Sequence, residues 1–181
     1  MTYPMSFAVV VPTCREADTI ERCLAAVARA AGPRELDIVV SDSGSDDTAA
    51  LAAARGARVI VGPRGRGGQL QRGARAARGD VLLFLHADTL LPANAFELIA
   101  QALARPEVVG GAFRLAFDAP DYRYRLAAGL ANLRAEMLGR PWGDQAQFCR
   151  RDAFDQCGGF PDWPFLEDVE LAARLRRLGR L

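Results

Sequence analysis

A short apolar run that leads straight into polar side chains is the part of this chain most suggestive of chemistry. Residues 81–85, reading VLLFL, have the pattern of a short buried strand, and HADT at residues 86–89 follows at once. Open α/β sheets bind ligands beyond the carboxyl ends of their strands. Hard cations such as Mg²⁺ take oxygen ligands there, often together with substrate phosphates. The segment therefore predicts a place for a metal ion and a diphosphate, the alternative being a strand that merely ends in a polar turn.

Two more polar clusters directly follow the first two predicted strands. They are PTCRE at residues 12–16 and SDSGSDDT at residues 41–48. In a parallel sheet both clusters lie at the same edge as residues 86–89, together with helix N-termini, which favour anions. Acidic and hydroxyl side chains that converge at this edge suit a nucleoside diphosphate with a bound metal.

The individual residues of these clusters have different expected tasks. Ser45 is a natural helix N-cap, and Asp46 and Asp47 in the first turn are favoured by the helix dipole, so we expect these three to be structural. Asp42 is not needed as a cap, and we expect it to hydrogen-bond a nucleobase or ribose. Glu16 could line the same pocket or be a plain first-turn acid of the following helix.

A fourth cluster, FLEDVEL at residues 165–171, places two carboxylates side by side. Glu167 and Asp168 follow a loop with two glycines, CGGFP at residues 157–161. Glycine lets backbone approach a ligand closely, and a carboxylate above such a loop can act as a general base. Taken alone, the pair would be better explained as acids of a helix N-terminus.

Two further segments carry weaker signals. RGRGG at residues 64–68 resembles a loop that cradles phosphate, although a flexible loop is the commoner explanation and the dinucleotide-binding order is absent. Trp142, Asp144, Trp163 and Phe165 bring aromatic faces and an acid to the last third of the chain. Aromatic faces suit sugar stacking, but they also anchor loops.

Alternating strands and helices predict an α/β fold with a mostly parallel sheet covered on both faces. The helix expected at residues 122–138 has apolar residues at helical spacing, which could cover an apolar acceptor but more often indicate packing on the core. The predicted strands are residues 7–11, 36–40, 57–61, 81–85, 108–117 and 146–149, and the predicted helices are residues 17–31, 46–55, 69–78, 92–104, 122–138 and 167–178.

Composition narrows the function classes. The 181 residues are 50% hydrophobic, which suits one domain with a substantial core. A net charge of +1 favours neither nucleic acid nor an anionic surface. All 23 basic residues are arginine, so lysine chemistry is excluded, and the one histidine is His86. The start of the chain lacks a secretory signal and no apolar run could span a bilayer. We therefore expect a cytoplasmic protein with reduced cysteines.

The four clusters together, in the order VVPTCRE, SDSGSDDT, LFLHADT and GGF…FLEDVEL, resemble the family 2 glycosyltransferases, which have the GT-A fold. The variants HADT and GDQAQF are most similar to a bacterial subgroup of small glycosyltransferases. The resemblance covers nearly the whole chain. It implies one catalytic domain over residues 1–181, and because the usual downstream segment is missing, we expect no C-terminal extension.

The resemblance also implies a role for each site residue. Asp168 is implied as the general base, with Glu167 beside it, and Asp88 as the ligand of Mn²⁺ or Mg²⁺ at the diphosphate. His86 stands where many relatives have another acid, and since imidazole is a softer ligand we do not assign it to the metal. The donor nucleotide would be bound by Pro12, Thr13, Glu16, Asp42, Arg66, Ala87 and Asp88, and the donor sugar or acceptor by Gly159, Asp144 and Trp163.

The implied reaction is an inverting, metal-dependent and non-processive transfer of a sugar from a nucleotide-diphosphate donor, with a UDP-sugar favoured. The acceptor would be a hydroxyl or carboxyl group on a lipid or a small molecule. The arginine-rich run at residues 174–180 could contact anionic lipid at the membrane, although a solvated helix face also explains it. Two other classes stay open, a sugar-phosphate nucleotidyltransferase and a nucleotide-binding domain without activity.

Overall fold

The computed structural model of the chain describes residues 5–44, 46–118, 121–139, 141–163 and 165–181. Ser45, predicted as a helix cap, therefore lies outside the described residues. Strands and helices alternate as the sequence predicts. The strands are β1 Phe7–Thr13, β2 Leu36–Asp42, β3 Arg58–Val61, β4 Val81–Phe84, β5 Gly110–Gly111 and β6 Phe148–Arg150; the helices are α1 Ile20–Ala31, α2 Thr48–Ala54, α3 Arg66–Ala76, α4 Ala95–Leu103, α5 Tyr122–Leu138, α6 Arg151–Gln156 and α7 Glu167–Leu175.

The strands form one mixed sheet in the order β3-β2-β1-β4-β6-β5. β1, β2, β3 and β4 run parallel, whereas β6 pairs antiparallel with both β4 and β5. The chain moves outward from β1 to β3 and then crosses back to β4 on the other side of β1. The carboxyl ends of β1 and β4 therefore flank the point where the strand order reverses, which is where open α/β sheets bind their ligands.

Both faces of the sheet are covered, because its central strands are apolar on both sides. Val9 and Val11 of β1 pack with residues of α1, α2 and α4. Val10 points to the other face, where it packs with residues of α3, α6 and α7. This two-sided burial explains why the parallel strands read as unbroken apolar runs. Within the described ranges, none of the helices has the length and apolar content that a bilayer span requires.

Two predicted elements differ from the structure. The strand predicted for residues 108–117 is wrong in extent, because only Gly110–Gly111 pairs with β6 and the residues that follow have no ladder partner. Residues 151–156, predicted as irregular, form the short helix α6. Residues 64–68 are not the flexible loop that they resemble, because Arg66 begins α3 and a side-chain carbon on Gly67 would lie 2.7 Å from the carbonyl oxygen of Pro161.

The helix α5 forms where the sequence predicts it, but it does not pack on the core. Most of its large apolar side chains are exposed, and the helix is held by polar contacts and by two aromatic rings, Phe117 against Tyr124 and Trp142 beneath Arg134. Ala128 and Asn132 are its buried residues, and the Asn132 amide bonds both the N–H and the carbonyl oxygen of Leu115, at 2.7 and 2.9 Å. The apolar spacing of α5 therefore faces outward.

Candidate functional site

A fully buried polar cluster closes the ends of β1 and β2. The strand register places Thr13 opposite Asp42, and the Thr13 hydroxyl donates to the Asp42 carboxylate over 2.7 Å. The other Asp42 oxygen accepts the Gly44 N–H at 2.6 Å. Gln69 of α3 donates to the carbonyl oxygens of Thr13 and Ser41, at 2.7 and 2.8 Å. The sequence suggested no structural role for Asp42. In the structure Asp42 has one, because its carboxylate fixes the turn at Gly44.

The segment after β1 is held in a similar way. Pro12 is half-buried at the end of β1, and the half-buried Glu16 stands in the turn that precedes α1. The Glu16 N–H donates to the Thr48 hydroxyl over 2.9 Å, while the Glu16 carboxylate accepts the Thr19 hydroxyl at 2.8 Å. The first-turn explanation of Glu16 is wrong, because α1 begins at Ile20 and its first-turn acid is Glu21. The nucleoside contacts predicted for Pro12 and Glu16 stay predictions.

His86 stands at the centre of the charged groups at this edge of the sheet. Burial lowers the pKa of His86, the charge of Arg66 lowers it further, and the nearby Asp88, Asp144 and Asp168 oppose the shift. The imidazole is therefore neutral at pH 7 and offers one donor and one acceptor nitrogen. These five side chains come from segments that are far apart in the sequence, so the fold does bring the predicted acids Asp88 and Asp168 to one place.

A tight backbone contact fixes Asp168 beside His86. The Gly143 N–H donates to Asp168 Oδ2, and the Val169 N–H donates to Asp168 Oδ1 over 2.7 Å. A side-chain carbon on Gly143 would lie 3.0 Å from both Asp168 Oδ2 and His86 Nε2. Glycine at this position therefore lets the turn at residues 143–145 close onto both functional side chains.

Glu167 and Asp168 are adjacent in sequence but differ in their surroundings. Glu167 has no exposed surface, and its Oε1 accepts the Nε–H of Arg66. In this structure Glu167 holds Arg66, and the catalytic role predicted for Glu167 stays a prediction. Asp168 is itself only 5% exposed. Burial tends to lower the pKa of Arg66, but the hydrogen bond and charge of Glu167 outweigh burial and raise it. Arg66 Nη2 also lies 3.8 Å from Asp168 Oδ2.

Three other predicted residues differ in exposure. Ala87 is buried, and Trp163 is half-exposed on the loop before α7. Gly159 is buried with φ of 69°, and a side-chain carbon there would meet Gln71 Oε1 at 2.4 Å and the Phe154 ring at 2.7 Å. The argument that Gly159 is glycine so that a ligand can approach is not supported, because a left-handed turn and these two neighbours already require glycine.

A cavity of about 600 Å³ opens beside His86. It is lined by Asp88, Asp144 and the segment at residues 113–118. Burial raises the pKa of the half-buried Asp144, the charge of His86 lowers it in part and the charge of Asp168 raises it. Asp144 Oδ1 is buried without a hydrogen-bond partner among the described residues. An acceptor oxygen in that state fits a ligand that supplies a proton or a positive charge.

The donor set fits a hard cation of the Mg²⁺ or Mn²⁺ type. Asp88 is exposed at the cavity and Asp144 has its unpartnered oxygen there, so two carboxylates are on offer. No group of three or more His, Cys, Asp or Glu side chains within the described part of the chain is close enough to hold a metal alone. Magnesium is commonly bound by one or two carboxylates, with water and substrate phosphate completing its shell.

Two residues that shape the site were not predicted from the sequence. Gln69 joins β1 to β2 through their carbonyl oxygens, and Gly143 donates its N–H to Asp168 at a point where a side-chain carbon would crowd His86. Gln69 follows the RGRGG run, one turn after Arg66 on α3, so helical spacing from an assigned residue could have suggested it. For Gly143 the signal was its place at the start of the GDQAQF variant, directly before the predicted Asp144.

The sequence profile described as "Glycosyl transferase family 2" matches residues 8–160 of the chain, a stretch that runs from β1 to the loop after α6. The chain belongs to glycosyl transferase family 2. This match confirms the family that the four motifs resemble. It also places the PTCRE, SDSGSDDT and HADT clusters of this family 2 chain inside the matched region, whereas Glu167 and Asp168 lie beyond its end.

Curated relatives match part of this family 2 chain. An uncharacterized glycosyltransferase of Mycobacterium tuberculosis is 35% identical over 105 residues, which are 57% of this chain and 46% of that protein. Glucosyl-3-phosphoglycerate synthase of Mycolicibacterium paratuberculosis is 33% identical over 97 residues, 48% of this chain and 30% of that protein. The chain thus spans less than half the length of these relatives.

Solved structures share the fold. A mannosyltransferase from Pyrobaculum calidifontis in complex with GDP-Man and Mn²⁺ has a TM-score of 0.76 at 24% identity, and the match covers 99% of this chain and 54% of that one. Glucosyl-3-phosphoglycerate synthase from Mycobacterium tuberculosis, with Mn²⁺ and UDP, has a TM-score of 0.67 at 24% identity over 97% of this chain and 67% of that one. These likenesses confirm the predicted GT-A fold of the family 2 chain.

Proposed function

We propose that residues 1–181 form the catalytic domain of an inverting, metal-dependent and non-processive glycosyltransferase. It transfers a sugar from a nucleotide-diphosphate donor, preferably a UDP-sugar, to a hydroxyl or carboxyl group. One observation carries the proposal. The Asp168 carboxylate, 5% exposed, is held beside His86, and His86 lines a cavity together with Asp88 and Asp144. A fixed carboxylate close to a cavity that contains a cation-binding acid is what this reaction needs.

Asp168 is the group that takes the proton from the acceptor. Each of its oxygens accepts one backbone N–H, from Gly143 and Val169, and a carboxylate oxygen has a second lone pair for an acceptor hydroxyl. These two backbone hydrogen bonds orient the Asp168 carboxylate, so that no other flexible side chain is needed to hold it. The acceptor oxygen attacks the anomeric carbon from the face opposite the diphosphate, and general base catalysis of this kind contributes about 10²–10⁴-fold.

The leaving diphosphate meets positive charge at the same edge of the sheet. Arg66 uses its Nε–H for Glu167, and its guanidinium is 43% exposed, so further N–H donors remain for phosphate oxygens. Asp88 would hold Mn²⁺ or Mg²⁺, which supplies electrostatic stabilisation of the departing diphosphate when it is bound. Neutral His86 can donate one hydrogen bond to a phosphate oxygen from between these groups.

The donor nucleoside lies, in this proposal, at the ends of β1 and β2. Thr13 and Asp42 are locked together there, which gives Pro12 and Glu16 a rigid support. A preorganised pocket loses little conformational entropy when the nucleotide binds. Mannosyltransferase and synthase structures with the same fold contain GDP-Man or UDP with Mn²⁺. These complexes support a nucleotide donor with a divalent cation.

The sugar and acceptor occupy the cavity beside His86. Asp144 receives a sugar or acceptor hydroxyl on its unpartnered oxygen. Trp163 is half-exposed on the loop before α7, outside the lining of this cavity, and offers an aromatic face to a sugar from there. Apolar residues such as Leu91 and Phe113 line the same cavity, so it accepts a small molecule or the head of a lipid.

The test is the product formed from a panel of nucleotide sugars, with and without Mn²⁺. Release of nucleoside diphosphate that depends on the cation is expected. Release of pyrophosphate from a sugar phosphate and a nucleoside triphosphate would instead indicate a nucleotidyltransferase, against which the PTCRE sequence after β1 already argues. A chain that binds nucleotide but forms no product with any donor would contradict the proposed activity.

The variant Asp168→Asn tests the role of the base. Donor binding is expected to stay within about twofold by titration calorimetry, whereas transfer falls by at least about 10²-fold. Asp155→Asn is the matched control, because Asp155 is exposed on α6, outside the charged cluster. Equal activities for the two variants would show that Asp168 is not the general base. That result would leave the proposed position of the donor pocket unaffected.

A further inference from the structure

The helix α5 is attached to the molecule through about half of its circumference. Tyr124 contacts the Phe117 ring, Arg134 lies over the Trp142 ring and Glu136 pairs with Arg114. Asn132 bonds the backbone of Leu115 twice and also accepts the Gln145 amide at 3.1 Å. Ala128, one turn earlier, is buried beside it. These contacts fix where α5 lies. The opposite side of the helix has no contacts among the described residues that would explain why it is apolar.

The opposite side is a continuous apolar stripe, which we call the outer stripe. Its residues follow at spacings of four, four, three and four, so at 3.6 residues per turn they lie within about 80° of the helix circumference. Between 52% and 75% of the surface of each is exposed. The outer stripe consists of Tyr122, Leu126, Leu130, Leu133 and Met137.

Gly129 is a second sign that another helix approaches here. It lies in the middle of α5, where glycine costs about 1 kcal/mol relative to alanine. A side-chain carbon at Gly129 would meet nothing within 4 Å among the described residues, so packing inside this chain does not require the missing side chain. Close approach of a second backbone at this position would account for the glycine.

The width and charges of the stripe indicate a helix rather than a bilayer as its partner. An apolar seam this narrow is typical of paired helices, whereas helices that lie in a membrane interface have a broad apolar face opposite a basic one. Here charged residues stand on both flanks. Arg125 and Glu136 share the flank that contains Gly129, and Arg123 lies on the other.

We propose that the outer stripe binds the outer stripe of a second copy of this chain, with the two α5 helices antiparallel about an axis near Leu130. In that arrangement each residue of one copy faces the residue of the other copy for which the two residue numbers add up to about 260. Arg125 of each copy then stands next to Glu136 of the other, on the same flank, and this charge pair occurs twice. A parallel two-fold pairing would instead set the flank of Arg125 against the opposite flank of the other copy, where Arg123 stands, so that like charges would meet.

The first test is the mass of the full chain by light scattering and sedimentation over a range of concentrations. A reversible dimer is expected. Leu130→Ser should raise the dimer dissociation constant at least about 30-fold, because a central apolar anchor is lost from both copies. Leu98→Ser is the matched control, since Leu98 is also exposed, on α4, and it should leave the constant unchanged. A monomer at every concentration overturns the proposal.

Charge exchange tests the antiparallel orientation. Arg125→Glu and Glu136→Arg should each weaken the dimer, and the double variant should restore it to within about threefold of the unmodified chain. Glu136 also pairs with Arg114 of its own chain, so thermal melting of each variant at monomeric concentration measures that loss separately. Failure of the double variant to restore dimers overturns the antiparallel pairing. Binding to phosphatidylglycerol vesicles by chains that stay monomeric overturns the choice of partner.

Discussion

Replacing Arg66 by methionine should cost far more stability than neutralising its partner. Glu167 has no exposed surface, whereas the Arg66 side chain is 43% exposed. Arg66→Met therefore leaves a buried carboxylate without its cation, which typically costs about 3–5 kcal/mol. Because water reaches this side of the pair, we take the lower end, about 3 kcal/mol. For a domain of this size, that is a loss of about 6–12 °C in Tm.

Glu167→Gln removes the same ion pair from its buried side. The new amide oxygen can still accept the Arg66 Nε–H, and Arg66 can turn toward water. Glu167 Oε2 has no hydrogen-bond partner among the described residues, so the charge that is removed was incompletely stabilised. We therefore expect a cost of at most about 1 kcal/mol, or about 2–4 °C. The double variant should be more stable than Arg66→Met alone, because no uncompensated charge remains.

Urea unfolding of the purified chain, followed by circular dichroism, measures these differences. Arg55→Met is the matched control: Arg55 pairs with Glu21 at 3.0 Å, but both side chains are about half exposed. An exposed pair is worth at most about 1 kcal/mol. The reasoning fails if Arg66→Met costs no more than Arg55→Met, or if Glu167→Gln proves the more damaging change at the buried pair.

Three further predictions follow from single contacts. Gly143→Ala should lower kcat about tenfold with little change in Tm, because the new methyl group displaces Asp168 by a few tenths of an ångström; unchanged turnover would contradict this. Gly159→Ala should cost at least about 2 kcal/mol in urea unfolding, since φ is 69° and the added carbon overlaps a buried ring. Hydrogen bonds from the Ser6 N–H and hydroxyl lower the pKa of Asp80. That stabilisation is complete above the unfolded pKa and is lost as pH falls through the lower folded pKa. Asp80→Asn should therefore be destabilised at pH 7, and its difference from the unmodified chain should shrink as the pH falls below the unfolded pKa.

The parallel half of the sheet was predictable because its strands are buried on both faces. Runs such as residues 7–11 and 81–85 are apolar on both faces and can bury both only between two layers of helices. Polar clusters then fall at the ends of the strands. The strand at residues 108–117 was overextended for a related reason. An alternating pattern shows which faces a segment has, but it does not show whether a neighbouring strand is present to pair with it.

Adjacent acids and outward helix faces could not be resolved from the sequence. Glu167 and Asp168 have the same chemistry, and only the three-dimensional position of Arg66 buries one against a cation and leaves the other beside His86. The apolar spacing of residues 122–138 correctly predicts a helix. It does not say whether the apolar side faces this chain or another, because burial within the chain and burial against a partner leave the same pattern.

Backbone strain shows how the stability of this fold and the geometry of its site depend on each other. Among the described residues, Arg15, Ala146 and Leu166 are the non-glycine residues with positive φ, at 61°, 45° and 61°. Each stands in a loop that borders the candidate site, and each such conformation costs of order 1 kcal/mol. Strain persists only where surrounding contacts hold the strained backbone in place. For Leu166 the contact is the ion pair between Arg66 and the next residue, Glu167. Breaking the pair should therefore release the loop before α7 and displace Asp168 at urea concentrations well below those that unfold the sheet.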